Sequence, residues 1–106
     1  MIYTITYISQ QYKSNQKLID CIKENCVGWA ILSPSFFLVA TAAKEKSEED
    51  IKQLQDVIAP TLEPSDKIFI SLFAGQAIWK GYNSEQLIKW LNLYISPKKL
   101  EATYIS

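Results

Sequence analysis

Runs of apolar residues alternate between strand spacing and helical spacing along the chain, and they predict a regular order of elements. The opening stretch, residues 2–8, is rich in β-branched and aromatic side chains, which predicts a first strand. After a polar stretch, apolar residues recur at helical spacing and predict a first helix from about residue 14 to residue 25. The residues that set this spacing are Leu18, Ile19, Ile22 and Cys26.

Two further strands and a second helix follow. Residues 28–32 and 36–41 have strand composition, and the tight Ser-Pro-Ser link between them predicts a hairpin. Ser47 is the predicted N-cap of the second helix, since the acidic residues after it favour the positive end of the helix dipole. These acids also suggest a metal site, with a solvated helix start as the alternative. They are Glu48, Glu49 and Asp50.

The last third of the chain adds a strand, a helix and a tail. Residues 67–73 predict the fourth strand, and residues 74–82 predict a compact segment after it. The capping-box sequence from Asn83 to Gln86 then starts a third helix. Residues 96–106 form a tail that has strand composition.

This order of elements predicts the fold class of a chain of 106 residues, which is long enough for one domain. We expect an α+β, ferredoxin-like βαββαβ domain over residues 1–95, with a four-stranded antiparallel sheet and an extra C-terminal helix. The tail over residues 96–106 is expected to add a short strand that is exchanged between two copies in a dimer, or else to be frayed.

Large apolar side chains fall on both faces of the predicted sheet. In the first strand Tyr3, Ile5 and Tyr7 point to one face, while Ile2 and Ile8 point to the other. Two helices cover only one face, and a contiguous apolar patch left exposed usually marks an interface. We therefore expect a two-fold dimer with sheet packed against sheet. The candidate interface residues are Thr4, Thr6, Phe69 and Phe73.

Composition limits the chemistry that the chain can perform. Its eleven basic residues are all lysine and balance eleven acidic residues, and it has no histidine and no arginine. Histidine is the usual general base near neutral pH and the commonest metal ligand. Arginine makes the bidentate contacts that read guanine and clamp phosphate. Catalysis would therefore rest on carboxylate, Lys, Tyr, Ser or Cys side chains, and sequence-specific DNA recognition is disfavoured.

The cysteines and the absence of long apolar runs indicate the compartment. Cys21 and Cys26 lie five positions apart, which fits neither a CxxC redox motif nor a zinc site, so two reduced, partly buried thiols are expected. No apolar run approaches the ~20 residues of a membrane span, and the N-terminus lacks the pattern of a signal peptide. We therefore expect a cytoplasmic protein with no membrane partner.

Several stretches of the chain are similar to a known protein family. They are Tyr3-Thr-Ile-Thr-Tyr7, Trp29 followed by Ser35-Phe-Phe-Leu-Val-Ala-Thr41, and above all Asp66 to Phe73 followed by Ala77-Ile-Trp-Lys-Gly81. On these residues the chain resembles, over about residues 1–95, the small CRISPR adaptation subunit and its relatives, which include the VapD-type ribonucleases. The resemblance implies a ferredoxin-like fold and a homodimer with the two sheets face to face.

The resemblance also implies where a catalytic residue would lie. In active members of the family, an aspartate directly follows the aromatic end of strand one, and the pair across the two-fold axis binds a divalent metal. By position this aspartate falls on Ile8, which Ser9 follows, and the first acidic residue of the chain is Asp20. Isoleucine cannot bind a metal, and a lone hydroxyl is a poor Mg²⁺ ligand. No catalytic residue, metal ligand or cofactor is therefore expected, with Mg²⁺ needed only if Asp66 or Glu63 supplies a relocated site.

Aromatic residues near the third helix are candidates for partner binding. Trp79 and Tyr82 beside Lys80 suit stacking on nucleic-acid bases, as in proteins that bind single strands. Alternatively, Trp79 fills the end of the core and Gly81 permits the turn into the helix. Trp90 lies off the apolar stripe of the helix, where it suits a protein partner or the dimer interface.

Three functions remain open from the sequence. The first is a non-catalytic homodimeric module that binds a protein partner, within prokaryotic or phage defence or counter-defence as the family resemblance implies. The second is a metal-dependent ribonuclease or deoxyribonuclease with relocated ligands. The third is a scaffold that binds nucleic acid without cleaving it, although a net charge of zero gives no long-range attraction to phosphate.

Overall fold

A computed structural model describes residues 1–9, 15–81, 83–94 and 100–104 of the chain. These residues form three α-helices, a short 3₁₀ turn (Ala59–Thr61) and six strands. The elements in chain order are β1 (Ile2–Ile8), α1 (Gln16–Asn25), β2 (Gly28–Ser33), β3 (Phe36–Ala40), α2 (Ser47–Ile58), β4 (Lys67–Leu72), β5 (Gly75–Trp79), α3 (Ser84–Tyr94) and β6 (Leu100–Tyr104). In the described part of the chain, no helix combines the length and the apolar composition of a membrane span.

Strands β1 to β4 form one antiparallel sheet with the strand order β2-β3-β1-β4. The predicted α+β class and the four-stranded antiparallel sheet are therefore confirmed. Strand β1 is central, and its register places Ile5 opposite Phe37 of β3 on one side and Ile70 of β4 on the other. Strands β2 and β4 are the two edges of this sheet.

One face of the sheet, which we call the helix face, packs against α1 and α2. Tyr3 and Ile5 of β1 and Phe37 and Val39 of β3 are completely buried there. The residues that the two helices contribute to this core are Leu18, Ile22, Leu54 and Ile58, which recur at the helical spacing seen in the sequence. Complete burial of one such aliphatic or aromatic side chain stabilises a fold by about 2 kcal/mol, so this core supplies much of the stability.

The opposite face, which we call the second face, is only half covered. Ile2, Leu38 and Ala40 form a second buried cluster with Leu87 and Leu91 of α3. The helix lies close to the sheet because Gly28 has no side chain. A Cβ atom at that position would lie 2.6 Å from the hydroxyl oxygen of Tyr94. A single short helix was expected to cover only part of this face, and that expectation is confirmed.

Strands β5 and β6 form a second, two-stranded sheet that the sequence did not predict. They pair in parallel, with Gly75 opposite Leu100 and Trp79 opposite Tyr104, and α3 connects them. Part of the predicted compact segment, residues 74–82, is therefore a strand. The tail, which was expected to find a strand edge, pairs with β5 of its own chain. Exchange of this strand between two copies stays a prediction.

The start of α2 differs from the predicted cap. The N-cap residue is Lys46, which lies in the left-handed region (φ 60°) and makes no side-chain capping hydrogen bond, and Ser47 is the first residue of the helix. The third acidic residue, Asp50, turns towards the sheet instead. Its Oδ2 atom accepts hydrogen bonds from the Tyr3 hydroxyl at 2.7 Å and from the Thr41 hydroxyl at 2.6 Å.

The same cluster holds the N-terminus. The Met1 ammonium donates hydrogen bonds to the carbonyl oxygens of Thr41 at 3.1 Å and Ala43 at 2.6 Å. Burial lowers the pKa of this ammonium, and the nearby Asp50 charge opposes that change. Burial, together with the hydrogen bond to Asp50, raises the pKa of the Tyr3 hydroxyl well above its ordinary value. Asp50 therefore links the first strand, the loop after β3 and the second helix.

Replacement of Asp50 by alanine tests this link. The Asp50→Ala variant leaves the Tyr3 and Thr41 hydroxyls without their shared acceptor, so we expect the free energy of unfolding to fall by about 2 kcal/mol. Urea denaturation measures it. The matched control is Glu49→Ala, which removes an exposed acid from the same helical turn and should change stability by no more than about 0.5 kcal/mol. Equal losses in the two variants would contradict a specific role for Asp50.

Candidate functional site

The register of β1 orders the second face into rows of residues that run across the strands. One row joins Leu38, Thr4 and Ser71, and the next joins Phe36, Thr6 and Phe69. The Thr4 and Ser71 hydroxyls share a hydrogen bond of 2.5 Å. Helix α3 covers the side of this face that contains Leu38, and the rows beyond it are largely uncovered by the described part of the chain, with Phe69 and Ile8 exposed.

We call these uncovered rows the open half of the sheet. They consist of Thr6, Ile8, Phe36, Lys67 and Phe69. Phe69 is 67 % exposed and Ile8 is 53 % exposed, although both lie within strands. Exposed large apolar side chains next to one another on a rigid sheet are the surface pattern of a contact site.

The position that corresponds to the family aspartate lies at the edge of this surface. Ile8 is opposite Lys67 in the register, so a cation and not an acid faces it across the strands. Ser9 follows it and is half-buried. The acid that contacts the end of β1 is Asp66, whose Oδ2 atom accepts hydrogen bonds from the Tyr7 hydroxyl at 3.2 Å and from the Glu63 backbone N–H at 2.9 Å. Asp66 therefore closes the turn before β4 on the side of Tyr7, away from Ile8.

The four predicted interface residues share the second face but differ in their surroundings. Thr4 and Thr6 are half-buried and Phe69 is exposed. Phe73 packs instead against the cluster under α3 in its own chain. The alternation of side chains along the strands places all four residues on one face of the sheet. Which of them are covered depends on the path of the chain after β4.

The aromatic candidates near α3 are also separated. Trp79 is half-buried and packs against the cluster under α3, which agrees with the alternative that it fills the end of the core. Gly81 has the positive φ of 94° expected of a glycine in the turn into the helix, and Lys80 is exposed. Tyr82 lies outside the described residues. Of the three candidates for base stacking, the structure therefore describes only Trp79 and Lys80, and the stacking site stays a prediction.

Trp90 lies at the side of α3 that faces the edge strand β2. Its ring is 5.0 Å from that of Tyr94, and it packs partly against the cluster under α3. With Trp29 and Gln86 it lines a groove of about 520 Å³ beside β2. Trp29 and Ile31 of β2 remain 37 % and 47 % exposed. This edge is a second apolar surface, separate from the open half of the sheet.

A pocket that the sequence did not indicate lies between α3, β5 and the second face. We call it the α3 pocket, and its volume is about 240 Å³. Thr4, Phe36 and Phe73 line the side of the sheet, while Ala77 and Trp79 of β5 line the opposite side. The alternation of strand β5 could have indicated these inward positions, but its short run gives a weak signal.

The two cysteines are free and lie at the interface of α1 with the core. Cys26 is buried in the helix-face core, and the Cys21 thiol donates a hydrogen bond to the Val57 carbonyl oxygen at 3.2 Å. Burial raises the pKa of both thiols, that of Cys26 to about 11. A thiol that stays protonated at neutral pH is a poor nucleophile, so these cysteines are structural. The predicted pair of partly buried free thiols is confirmed.

Neither metal-site geometry nor similarity to known proteins assigns a function. In residues 1–9, 15–81, 83–94 and 100–104, no three acidic or thiol side chains come together in a way that could hold a metal ion. Comparison with protein-family models, with curated proteins and with solved structures finds no match for this chain.

The raised pKa of Cys26 predicts a loss of stability at alkaline pH. The thiol ionises near pH 9.0 in the unfolded chain and near pH 11 in the folded one, so the unfolded state loses its proton first. The stabilisation is complete below the unfolded pKa and is lost as the pH rises through the folded pKa, a change of about 2 to 3 kcal/mol.

Urea denaturation between about pH 8 and about pH 11 measures this dependence. We expect Cys26→Ala to have a flatter stability curve than the natural chain over this range. Cys21→Ala is the matched control, and its curve should stay closer to that of the natural chain. An identical pH dependence of the natural chain and Cys26→Ala would show that Cys26 does not contribute.

Proposed function

We propose that this chain is a non-catalytic homodimeric module with a ferredoxin-like fold, which acts in the cytoplasm by binding a protein partner. The strand order β2-β3-β1-β4, with α1 and α2 on one face, supports the assignment of the fold. The two free thiols suit a reducing compartment. The family resemblance of the sequence suggests a setting in prokaryotic or phage defence or counter-defence.

The exposure of Phe69 is the observation that carries the proposal of a dimer. A phenylalanine that is 67 % exposed on a strand leaves about 100 Å² of apolar surface in contact with water. Covering that surface in a two-fold dimer contributes about 2.5 kcal/mol from each copy. Thr6 opposite it and Ile8 beside it make the surface flat and largely uncharged, as an isologous contact between two sheets requires.

Ile8 supports the absence of metal chemistry in such a dimer. A face-to-face arrangement of the kind implied by the resemblance would bring the ends of the two β1 strands close together. Side chains at this position would then meet as two isoleucines with Lys67 beside each, where a metal site needs carboxylates. The dimer would therefore gain apolar contact at the place where its active relatives hold a cation.

The edge strand β2 supports the proposal of a protein partner. If the open half of the sheet is occupied by a second copy, the edge strand β2 remains accessible, with Trp29 and Ile31 exposed and the half-buried Trp90 beside it. Tryptophan is enriched among the residues that carry most of the binding energy in protein interfaces. The residues that the structure describes along the groove beside β2 carry no charged side chain, so an uncharged segment of the partner fits them best.

Charge substitution of Phe69 tests the dimer. Phe69→Lys would place two ammonium groups in the apolar contact, so we expect the dimer dissociation constant to rise by at least about a hundredfold. Sedimentation equilibrium over a range of protein concentrations measures it. Leu93→Lys is the matched control, since Leu93 is 76 % exposed on α3, away from the sheet. A natural chain that stays monomeric at high concentration would contradict the proposal, as would equal weakening by the two variants.

The nuclease alternative is tested with labelled RNA and duplex DNA in Mg²⁺ or Mn²⁺. We expect no cleavage that EDTA abolishes, because Ile8 occupies the position of the family aspartate. Cleavage that follows the protein through stringent purification and is lost in Asp66→Ala would instead support a relocated site. For the scaffold alternative, binding to the same nucleic acids should be weak and should disappear between low and physiological salt.

A further inference from the structure

The α3 pocket lies apart from Phe69, which carries the proposed dimer, and shares only Phe36 with the open half of the sheet. It lies under β5 and α3, whereas the open half of the sheet lies beyond them. Ile78 of β5, one of its lining residues, is 67 % exposed. A largely apolar pocket that also borders a buried cluster has the form of a small-molecule site.

The volume of the pocket sets the size of what it can hold. At about 240 Å³ it is larger than the engineered apolar cavities of about 150 Å³ that stay dry and bind benzene. It is smaller than the roughly 300 to 1,000 Å³ of sites for drug-sized ligands. Two fused six-membered rings fit this interval, since they need more room than benzene and less than a larger ligand.

The lining of the pocket sets the charge and the shape of the ligand. None of the described residues that line it is charged, and a charge buried among them without a partner would be costly. Phe36, Phe73 and Trp79 contribute three aromatic side chains, which favour the ring edges and faces of another aromatic molecule. An uncharged aromatic compound therefore matches the pocket better than an alkyl chain or an ion does.

Thr4 gives the pocket one polar point. Its hydroxyl is paired with that of Ser71 at 2.5 Å, and only one of the two hydroxyl hydrogens lies in that bond. The Thr4 oxygen has two lone pairs, so it can accept a hydrogen bond from a ligand besides the one it shares with Ser71. A single hydroxyl or carbonyl group on a ligand can therefore be accommodated at this end of the pocket.

We propose that the α3 pocket binds an uncharged, two-ring aromatic small molecule that carries one hydroxyl or carbonyl group directed at Thr4. Neither the dimer nor a protein partner is needed for this site, because all of its walls come from one chain. Phe69, which carries the proposed dimer, does not line it.

Titration of 2-naphthol into isotopically labelled protein, followed by two-dimensional NMR, tests the proposal. We expect saturable shifts at Thr4, Ala77 and Leu91, and only small changes at Thr6 and Phe69 on the open half of the sheet. Two comparison probes test whether the pocket prefers an uncharged ligand and an aromatic one. The affinity for 2-naphthoate should be about tenfold lower because of its charge, and that for 1-octanol should be lower because it has no ring.

Variants of the lining residues locate the binding site independently of the NMR shifts. Ala77→Phe fills the pocket with a ring, so we expect the affinity for 2-naphthol to fall by at least about tenfold. Ala77→Val, which adds less volume, should weaken binding less and keeps the test meaningful if the larger residue prevents folding. Leu93→Ser changes an exposed position on α3 and should leave the affinity unchanged. Phe69→Lys should also leave it unchanged, whatever that variant does to the dimer.

Several results would overturn the assignment. They are the absence of saturable shifts at millimolar 2-naphthol, affinity that Ala77→Phe leaves intact, and shifts that centre on Phe69. Binding of 1-octanol or 2-naphthoate as strong as that of 2-naphthol would overturn the chemistry of the ligand. Failure of the dimer in sedimentation with normal 2-naphthol binding would reject the proposed function alone, and the reverse outcome would reject the pocket alone.

Discussion

The structure depends on the burial of β1 from both sides. This central strand sends Tyr3 and Ile5 into the helix face, where they are completely buried, and Ile2 into the second face, where it is nearly so. An alternating strand with apolar residues on both faces needs cover on both. Two helices cover the first face, whereas α3 and β5 of the described chain cover only part of the second. The division of the second face into a packed part and an open half follows from that shortage of cover.

Much of the fold could be predicted because its local signals agree with its packing. The strand composition of residues 2–8 and the helical spacing of Leu18 and Ile22 correspond to the core that is observed on the helix face. The pairing of β5 with β6 could not be predicted in this way, since it joins residues 25 positions apart (Gly75 with Leu100) across a helix. The role of Asp50 was hidden for a similar reason. The sequence places it in a helical turn that attracts acids, whereas its hydroxyl partners come from distant strands.

The residues of the second face show the same limit of prediction from sequence. The alternation of side chains along β1 and β4 places Thr6, Phe69 and Phe73 on one face, and the register confirms that Thr6 is opposite Phe69. This alternation cannot distinguish Phe69, which is exposed, from Phe73, which packs under α3. That difference depends on where the chain turns after β4 and on how far α3 reaches across the sheet. A face can therefore be read from the sequence, whereas the part of it that stays open cannot.

The position of α3 accounts for both surfaces that remain. Gly28 allows the ring of Tyr94 to approach the sheet at one end of the helix, while Ala77 and Trp79 of β5 line the α3 pocket together with Thr4. The pocket therefore lies between the sheet, α3 and β5. Beyond the pocket no element of the described chain covers Phe69, so the apolar surface continues onto the open half of the sheet. Phe36 belongs to both surfaces, since it lines the pocket and lies in the row of Thr6 and Phe69. A shift of α3 would therefore exchange enclosed volume for exposed sheet, because the same helix forms the boundary of each.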